Sequence, residues 1–156
     1  MNQIKNLSLI GICMAFVVIA LGAWTRLVDA GLGCPDWPGC YGFVFWPNDE
    51  VEIALAESRF PMFPYDINKA IPEQVHRLFA AALGLIAILL VYFSFNKTNN
   101  KAIQRWTVFL LVLICCQGLF GYLTVSLKLL PIIVTTHLFG GFATLTLFYF
   151  IFLKSR

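Results

Sequence analysis

The chain has 156 residues, of which 60% are hydrophobic and only 12% are charged, and its formal net charge is +3. Its mean hydropathy of +0.81 is far above what a soluble domain can bury, so the composition excludes an ordinary globular protein and indicates one that has lipid as its solvent. The small positive charge follows from membrane topology and does not indicate a nucleic-acid partner.

Four apolar stretches are long enough to cross a bilayer, which takes roughly 20 residues of helix. They cover approximately residues 7–24, 71–95, 106–126 and 131–153, and none has an ionisable side chain in its central third. Because the stretches lack the alternation of barrel strands, we expect helices. The predicted fold class is therefore all-α: a polytopic membrane protein with an antiparallel four-helix transmembrane bundle, forming one domain over residues 1–156.

Charge sets the expected orientation of the bundle. All eight acidic residues fall between the first span and the start of the second, whereas basic residues flank the other ends of the spans. Since the basic side of a membrane protein faces the cytoplasm, we expect a multi-pass protein of the cell inner (plasma) membrane with both termini cytoplasmic and residues 26–70 outside. The basic residues on the cytoplasmic side are Lys5, Lys97, Lys101, Arg105, Lys154 and Arg156.

The extracytoplasmic loop of residues 26–70 contains Cys34 and Cys40, in a compartment that permits disulfides. Its first part is dense in glycine, proline and tryptophan, which predicts a structured, turn-rich segment. A short amphipathic helix is predicted at residues 50–59. The remaining cysteines fall inside the spans, where we expect them to pack as small buried hydrophobes: Cys13, Cys115 and Cys116.

The two histidines of the chain, His76 and His137, both lie inside predicted spans, where an ionisable side chain is costly and indicates function. The second and fourth helices run in the same direction, and each is predicted to have a proline in its first turn, Pro72 and Pro131. Counting from these prolines puts the histidines within about 3 Å of the same depth. Two neutral imidazoles at one depth suit the axial ligation of a haem iron; the alternative is that each only bonds a neighbouring helix.

Small residues continue both histidine faces and could form a flat slot for a macrocycle, although such stripes also serve plain helix packing. They are Ala80 and Gly84 on the second span, and Gly140, Gly141 and Thr144 on the fourth.

Charged residues lie close to the predicted haem slot. Glu73 is three residues before His76 and shares its helix face, although an acid in a first turn also simply favours the helix dipole. Arg77 and Arg26, at the outer ends of their helices, could pair with haem propionates. Their alternative role is to extend to the membrane interface.

Several of these residues belong to longer runs. The segment from Gly22 to Gly42, the run Glu73-Gln-Val-His-Arg77, residues 117–125 and His137 resemble the haem A synthase family of cytochrome oxidase assembly enzymes. The resemblance implies oxidation of the C8 methyl group of haem O, the substrate, to a formyl group, with haem b as a cofactor.

The resemblance also implies roles for individual residues. Glu73 would take part in the chemistry, and His76 and His137 would be axial ligands of the haem iron. Cys34 and Cys40 would form a redox-sensitive disulfide, with a plain structural staple as the alternative.

The resemblance covers the first half of the family pattern, because family enzymes usually have eight helices in two similar halves. Three accounts follow: a homo-oligomer, which closed symmetry favours; a partner chain that supplies the second half; or an inactive fragment. Haem O synthase is a further partner that the resemblance implies.

Two other functions remain open at this point. A non-catalytic b-type haem-binding or electron-transfer subunit needs only the two histidines. A quinone-coupled membrane thiol oxidoreductase would use Cys34 and Cys40, but such enzymes relay electrons between two cysteine pairs and the loop has one.

Overall fold

The computed structural model describes residues 1–155, so Arg156, which the charge argument counted, lies outside the described residues. It has five helices: α1 (Asn2–Leu27), α2 (Glu50–Arg59), α3 (Ile67–Lys97), α4 (Lys101–Ser126) and α5 (Pro131–Lys154). All but α2 are long and apolar enough to cross a membrane. The prediction of an all-α, polytopic membrane protein is confirmed, and α2 begins and ends where the short helix was predicted.

Two helices begin before their apolar runs because polar side chains cap them. The side chain of Asp66 accepts a hydrogen bond from the amide of Asn68 at the start of α3, and the Asn100 side chain accepts from two amides at the start of α4. Such caps satisfy amides that have no partner within the helix. As a result Pro72 lies inside α3 rather than in its first turn, so that prediction was wrong, whereas Pro131 is the first residue of α5.

The four long helices form a closed ring. α1 packs against α3 and α5, and α4 also packs against α3 and α5. The link between α4 and α5 turns sharply through Lys128 and Leu129, which have φ angles of 49° and 59°, so these two helices are antiparallel neighbours as predicted. The helices that carry the histidines, α3 and α5, are therefore parallel and face each other across the ring.

The buried core fills only one half of this bundle. At the end that holds Met1, the α3–α4 link and the end of α5, the helices bury a continuous apolar cluster, which we call the closed half. At the other end, within the described residues, no side chain is buried in residues 16–24, 75–82, 111–126 or 131–143; we call this part the open half. The core of the closed half is Ile4, Ala15, Leu83, Ala87, Leu90, Ile103, Leu110, Phe148 and Ile151.

Polar groups inside the closed half are paired with each other. The hydroxyls of Ser94 and Thr107 are 2.8 Å apart across the α3–α4 contact. The side-chain amide of Gln104 donates to the carbonyls of Ser94 and Thr98. Polar bonds of this kind hold membrane helices together where apolar surface alone gives no preference over lipid.

The three cysteines of the spans do not join this core. Cys13, Cys115 and Cys116 are all exposed. The expectation of buried packing was wrong, because a small apolar side chain is equally at home facing lipid.

Candidate functional site

The open half brings the two histidines together. The ring centroids of His76 and His137 are 6.5 Å apart, and the rings are at 89° to each other. Both side chains are partly buried. Counting along the sequence placed the two histidines at one depth, and in the structure they lie next to each other across the ring of helices.

Each of the two imidazoles has a ring nitrogen that could bind a metal. Nδ1 of His76 is 3.1 Å from the carbonyl oxygen of Val18 on α1. A carbonyl can only accept, so this nitrogen carries the hydrogen and Nε2 of the neutral ring keeps a free lone pair, which is how ligand histidines are commonly oriented. Nδ1 of His137 is buried and has no hydrogen-bond partner within residues 1–155.

This pair fits a metal that brings its own ligands. Within the described chain, no group of three or more His, Cys, Asp or Glu residues could hold a bare metal ion. Haem iron needs only two axial ligands from the protein. Two imidazole–metal bonds of about 2 Å would put the ring centroids about 6.3 Å apart with an iron between them, and the observed separation is 6.5 Å.

One glycine, Gly22 of α1, makes room for the His76 ring, whereas Gly121 of α4 is at an ordinary contact distance from His137. A Cβ atom on Gly22 of α1 would come within 2.9 Å of Cε1 of His76, and one on Gly121 of α4 would lie 3.8 Å from Cε1 of His137. Only glycine lets α1 approach the His76 ring this closely. Sequence reasoning missed the roles of Gly22 and Val18, since a contact between helices leaves no trace in spacing along one helix.

The glycines of α5 allow close helix packing and do not form the predicted slot for a macrocycle. The side chain of Gln117 occupies the space where Gly140 would have a Cβ, and a Cβ on Gly141 would lie 3.4 Å from Ile19 of α1. Thr144 is buried, and its hydroxyl donates to the carbonyl of Gly140. On this helix the packing alternative describes the small residues better than the predicted slot.

Glu73 is buried, and its carboxylate is held by the loop that follows α1. Its Oε2 accepts the amide hydrogen of Cys34 at 2.9 Å, and its Oε1 is 2.6 Å from Nη2 of Arg77. The charged pair is almost enclosed, with 6% and 11% of the two side chains exposed. Both oxygens of the residue that was predicted to be catalytic therefore have protein partners.

Arg77 and Arg26, both predicted to pair with propionates, have different surroundings. Besides Glu73, Arg77 donates through Nη1 to the carbonyls of Asp36 at 2.8 Å and Gly39 at 2.6 Å. Arg26 is exposed in the last turn of α1, where a cation is favourable to the helix dipole. Pairing with propionates stays a prediction for both.

The loop that Arg77 contacts contains the two cysteines that lie outside the spans, Cys34 and Cys40. Cys34 and Cys40 are joined in the structure with a Cα–Cα distance of 4.7 Å, and both are completely buried. Between them, the carboxylate of Asp36 accepts the amides of Tyr41 and Gly42. We call residues 34–40 the disulfide loop.

Aromatic residues pack the outer layer around the disulfide loop. The ring of Tyr41 contacts those of Phe60 and Tyr65 edge to face, and the hydroxyl of Tyr65 donates to the carbonyl of Pro47. Burial is the main cause that raises the pKa of both Tyr41 and Tyr65 above the ordinary value of 10.0. Trp37 packs edge to face on Tyr122 of α4, so the disulfide loop reaches over to a second span.

Comparison with known proteins identifies the family. A sequence profile described as COX15-CtaA, cytochrome oxidase assembly protein, matches residues 5–156. The chain belongs to this family. Among proteins similar to this COX15-CtaA chain, one from Shewanella oneidensis named heme A synthase is 42% identical over 154 residues, which is 99% of the chain and 46% of that protein. The heme A synthase of Rickettsia bellii is 34% identical over 140 residues, 78% of the chain and 41% of that protein.

A third relative of this COX15-CtaA chain, the heme A synthase of Rickettsia prowazekii, is 30% identical over 142 residues, covering 83% of the chain and 42% of that protein. The chain thus spans less than half the length of these relatives. It corresponds to the amino-terminal half of the family. No solved structure matches the chain.

Proposed function

We propose that this chain is the haem O-binding half of a haem A synthase. In this proposal the substrate haem O lies in the open half, and its C8 methyl group is oxidised to a formyl group to make haem A for cytochrome oxidase. The family membership and the relatives named heme A synthase support this assignment.

The observation that carries the proposal is the spacing of the two imidazoles. A separation of 6.5 Å between ring centroids suits one iron between two axial ligands, and the Nδ1 bond of His76 to Val18 leaves its Nε2 available. His76 and His137 are therefore the proposed ligands of the substrate iron. The absence of buried side chains in the surrounding segments of the described chain supports a large flat ligand there.

Glu73 is the proposed catalytic residue, and Cys34 and Cys40 form a proposed disulfide in the cell. Glu73 is buried one helical turn before His76. It is therefore close enough to the proposed haem site to affect it through a single turn of α3. O2 would supply the oxidising equivalents, and a haem b held elsewhere in the complete assembly would deliver the electrons that reduce it. A second half is needed to hold it, either a second copy of this chain or a separate chain.

The proposed location is the inner membrane, with both termini in the cytoplasm and the disulfide loop outside. The distribution of basic and acidic residues supports this orientation. Haem O synthase, the enzyme that makes the substrate, is a proposed neighbour in the same membrane.

Pigment analysis tests the proposal. The chain is expressed as the sole copy in cells that accumulate haem O, and the purified protein is examined by optical spectroscopy and pyridine haemochrome analysis. We expect a low-spin haem that is lost in His76→Ala and in His137→Ala. Glu73→Gln is expected to keep the haem but to stop formyl production. Gln104→Ala, which removes a buried polar side chain from the closed half, is the matched control and should keep both haem and product.

The results also have outcomes that contradict the proposal. If haem O stays unchanged in cells that contain the intact chain together with an added second half, the chain is not part of a haem A synthase. A purified chain without any haem would exclude the histidine site as well.

One observation favours a second function, a non-catalytic b-type haem-binding or electron-transfer subunit. Both carboxylate oxygens of Glu73 are already occupied by protein donors, which leaves the residue less free to act on a substrate. Recovery of haem b alone, with no farnesylated haem in any preparation, would support this function. For a thiol oxidoreductase the structure offers no added support, since Cys34 and Cys40 are completely buried.

A further inference from the structure

We propose that Arg77 is a positioning residue that fastens the disulfide loop to the helical turn carrying His76, and that it does not serve as a partner for haem propionates. We call Arg77 together with Glu73 the clasp. This inference assigns Arg77 a role different from the pairing with haem propionates that the sequence predicts for it.

The first argument is that Arg77 already uses three of its five N–H donors on the protein. Nη1 donates to the carbonyls of Asp36 and Gly39, and Nη2 donates to Glu73, all within 2.8 Å. Hydrogen bonds that involve a charged group are the strong ones in proteins. A propionate that displaced one of these bonds would do so at a cost of about 1.5–3 kcal/mol.

The second argument is burial. Only 11% of the Arg77 side chain and 6% of the Glu73 side chain are exposed. Removing one member of such a pair leaves the other as an unpaired buried charge, which is strongly unfavourable. The clasp therefore holds its two members and the loop in one arrangement.

The third argument is the position of the clasp. Glu73 and Arg77 are one turn apart on α3 and enclose His76 between them in sequence. From the loop, the amide of Cys34 donates to Glu73, and the carbonyls of Asp36 and Gly39 accept from Arg77, so both ends of the disulfide loop are tied to the same turn. Trp37 in the middle of the loop rests on Tyr122 of α4. The loop thereby spans from α3 to α4 over the outer end of the open half.

Arg59 provides a matched control for this arginine. It also lies in the outer layer, at the end of α2, with its guanidinium 5.8 Å from the centre of the Phe43 ring. Arg59 is exposed and lies against Gly42, just beyond the disulfide loop, so it belongs neither to the clasp nor to the histidine site.

Hydrogen exchange tests the clasp in the purified, full-length chain without haem. In Arg77→Gln, we expect the amides of the disulfide loop, residues 34–40, to exchange roughly ten- to hundredfold faster, because the charge-assisted bonds that close the loop are lost. Arg77→Lys, which keeps the charge but has fewer directed donors, should give an intermediate rate. Arg59→Gln should leave these amides unchanged. Equal exchange in Arg77→Gln and the parent chain, with the helices intact by circular dichroism, would overturn the proposal.

A second measurement separates the clasp from a propionate partner, and this one rests on the proposed haem site. The chain is loaded with haem or with its dimethyl ester, which has no propionate charge, and the affinity is compared between the parent and Arg77→Gln. A clasp predicts the same fold-change in affinity for both pigments. A fold-change seen with haem that vanishes with the ester would identify a propionate partner and overturn the proposal. If neither pigment binds to the parent chain, the proposed function fails, while the exchange experiment still decides the clasp.

Discussion

The two ends of the bundle use the same helices for opposite purposes. In the closed half, large side chains such as Phe148 and Leu90 are fully buried and polar pairs are satisfied across helices. In the open half, glycines and partly buried histidines face each other. The disulfide loop above them contacts the helices there. The comparison teaches that the cohesive core and the proposed haem site are separated along the bundle axis, and substitutions at the two ends should therefore have different consequences.

The largest expected difference concerns two phenylalanines of α5. Phe148 is fully buried in the closed half, whereas Phe139 in the open half is 67% exposed. Phe148→Ala should lower the free energy of unfolding by about 3–5 kcal/mol through the cavity that it leaves. Phe139→Ala should change it by less than about 0.5 kcal/mol. Denaturant titration in detergent, followed by circular dichroism, measures both; equal losses would remove the distinction between the halves.

The next effect concerns a glycine of the closed half. A Cβ on Gly11 of α1 would overlap the ring of Phe148, so Gly11→Ala should force these helices apart. We expect a loss of about 1–3 kcal/mol in the free energy of unfolding, the usual cost of overpacking. The same titration applies. Unchanged stability would mean that the closed half is less tightly packed than the structure has it.

A smaller effect is expected from the polar pair between α3 and α4. Thr107→Ala removes the bond to the Ser94 hydroxyl and should lower the free energy of unfolding by about 0.6 kcal/mol, the average for hydrogen bonds between membrane helices, and by no more than about 1.7 kcal/mol. Thr136→Ala is the control, because this exposed hydroxyl bonds only within its own helix, to the carbonyl of Ile132. An equal loss in both variants would show that the bond between helices contributes nothing.

The smallest effect should come from the open half. A Cβ on Gly118 of α4 would meet no other heavy atom within 4 Å in the described chain. Gly118→Ala should therefore leave stability unchanged or raise it by up to about 1 kcal/mol, since alanine favours a helix more than glycine does. Its comparison with Gly11→Ala is the sharpest test of the two halves. A loss as large as that of Gly11→Ala would contradict the open packing around α4.

The sequence predicted the spans well because a run of about 20 apolar residues has few structural alternatives. It predicted the helix ends less well. Asp66 and Asn100 lie outside the apolar runs, so their caps extend the helices beyond what hydropathy detects. For the same reason Pro72 was wrongly placed in a first turn.

The histidine pair was accessible from the sequence because both residues are rare and their depths can be counted along parallel helices. The contacts of Glu73 and Arg77 were not accessible. Their partners, Cys34, Asp36 and Gly39, are separated from them by about 40 residues of chain, and such distant pairing depends on how the loop folds back. Spacing along α3 could show only that Glu73 and Arg77 share a face with each other.

The closed half has a consequence for the order of events in biogenesis. Its core and its polar pairs are made entirely of the chain's own side chains, so the four helices can associate in the bilayer without any pigment. Translation, insertion and helix association can then be completed first, and under the proposed function haem O would enter a scaffold that already exists.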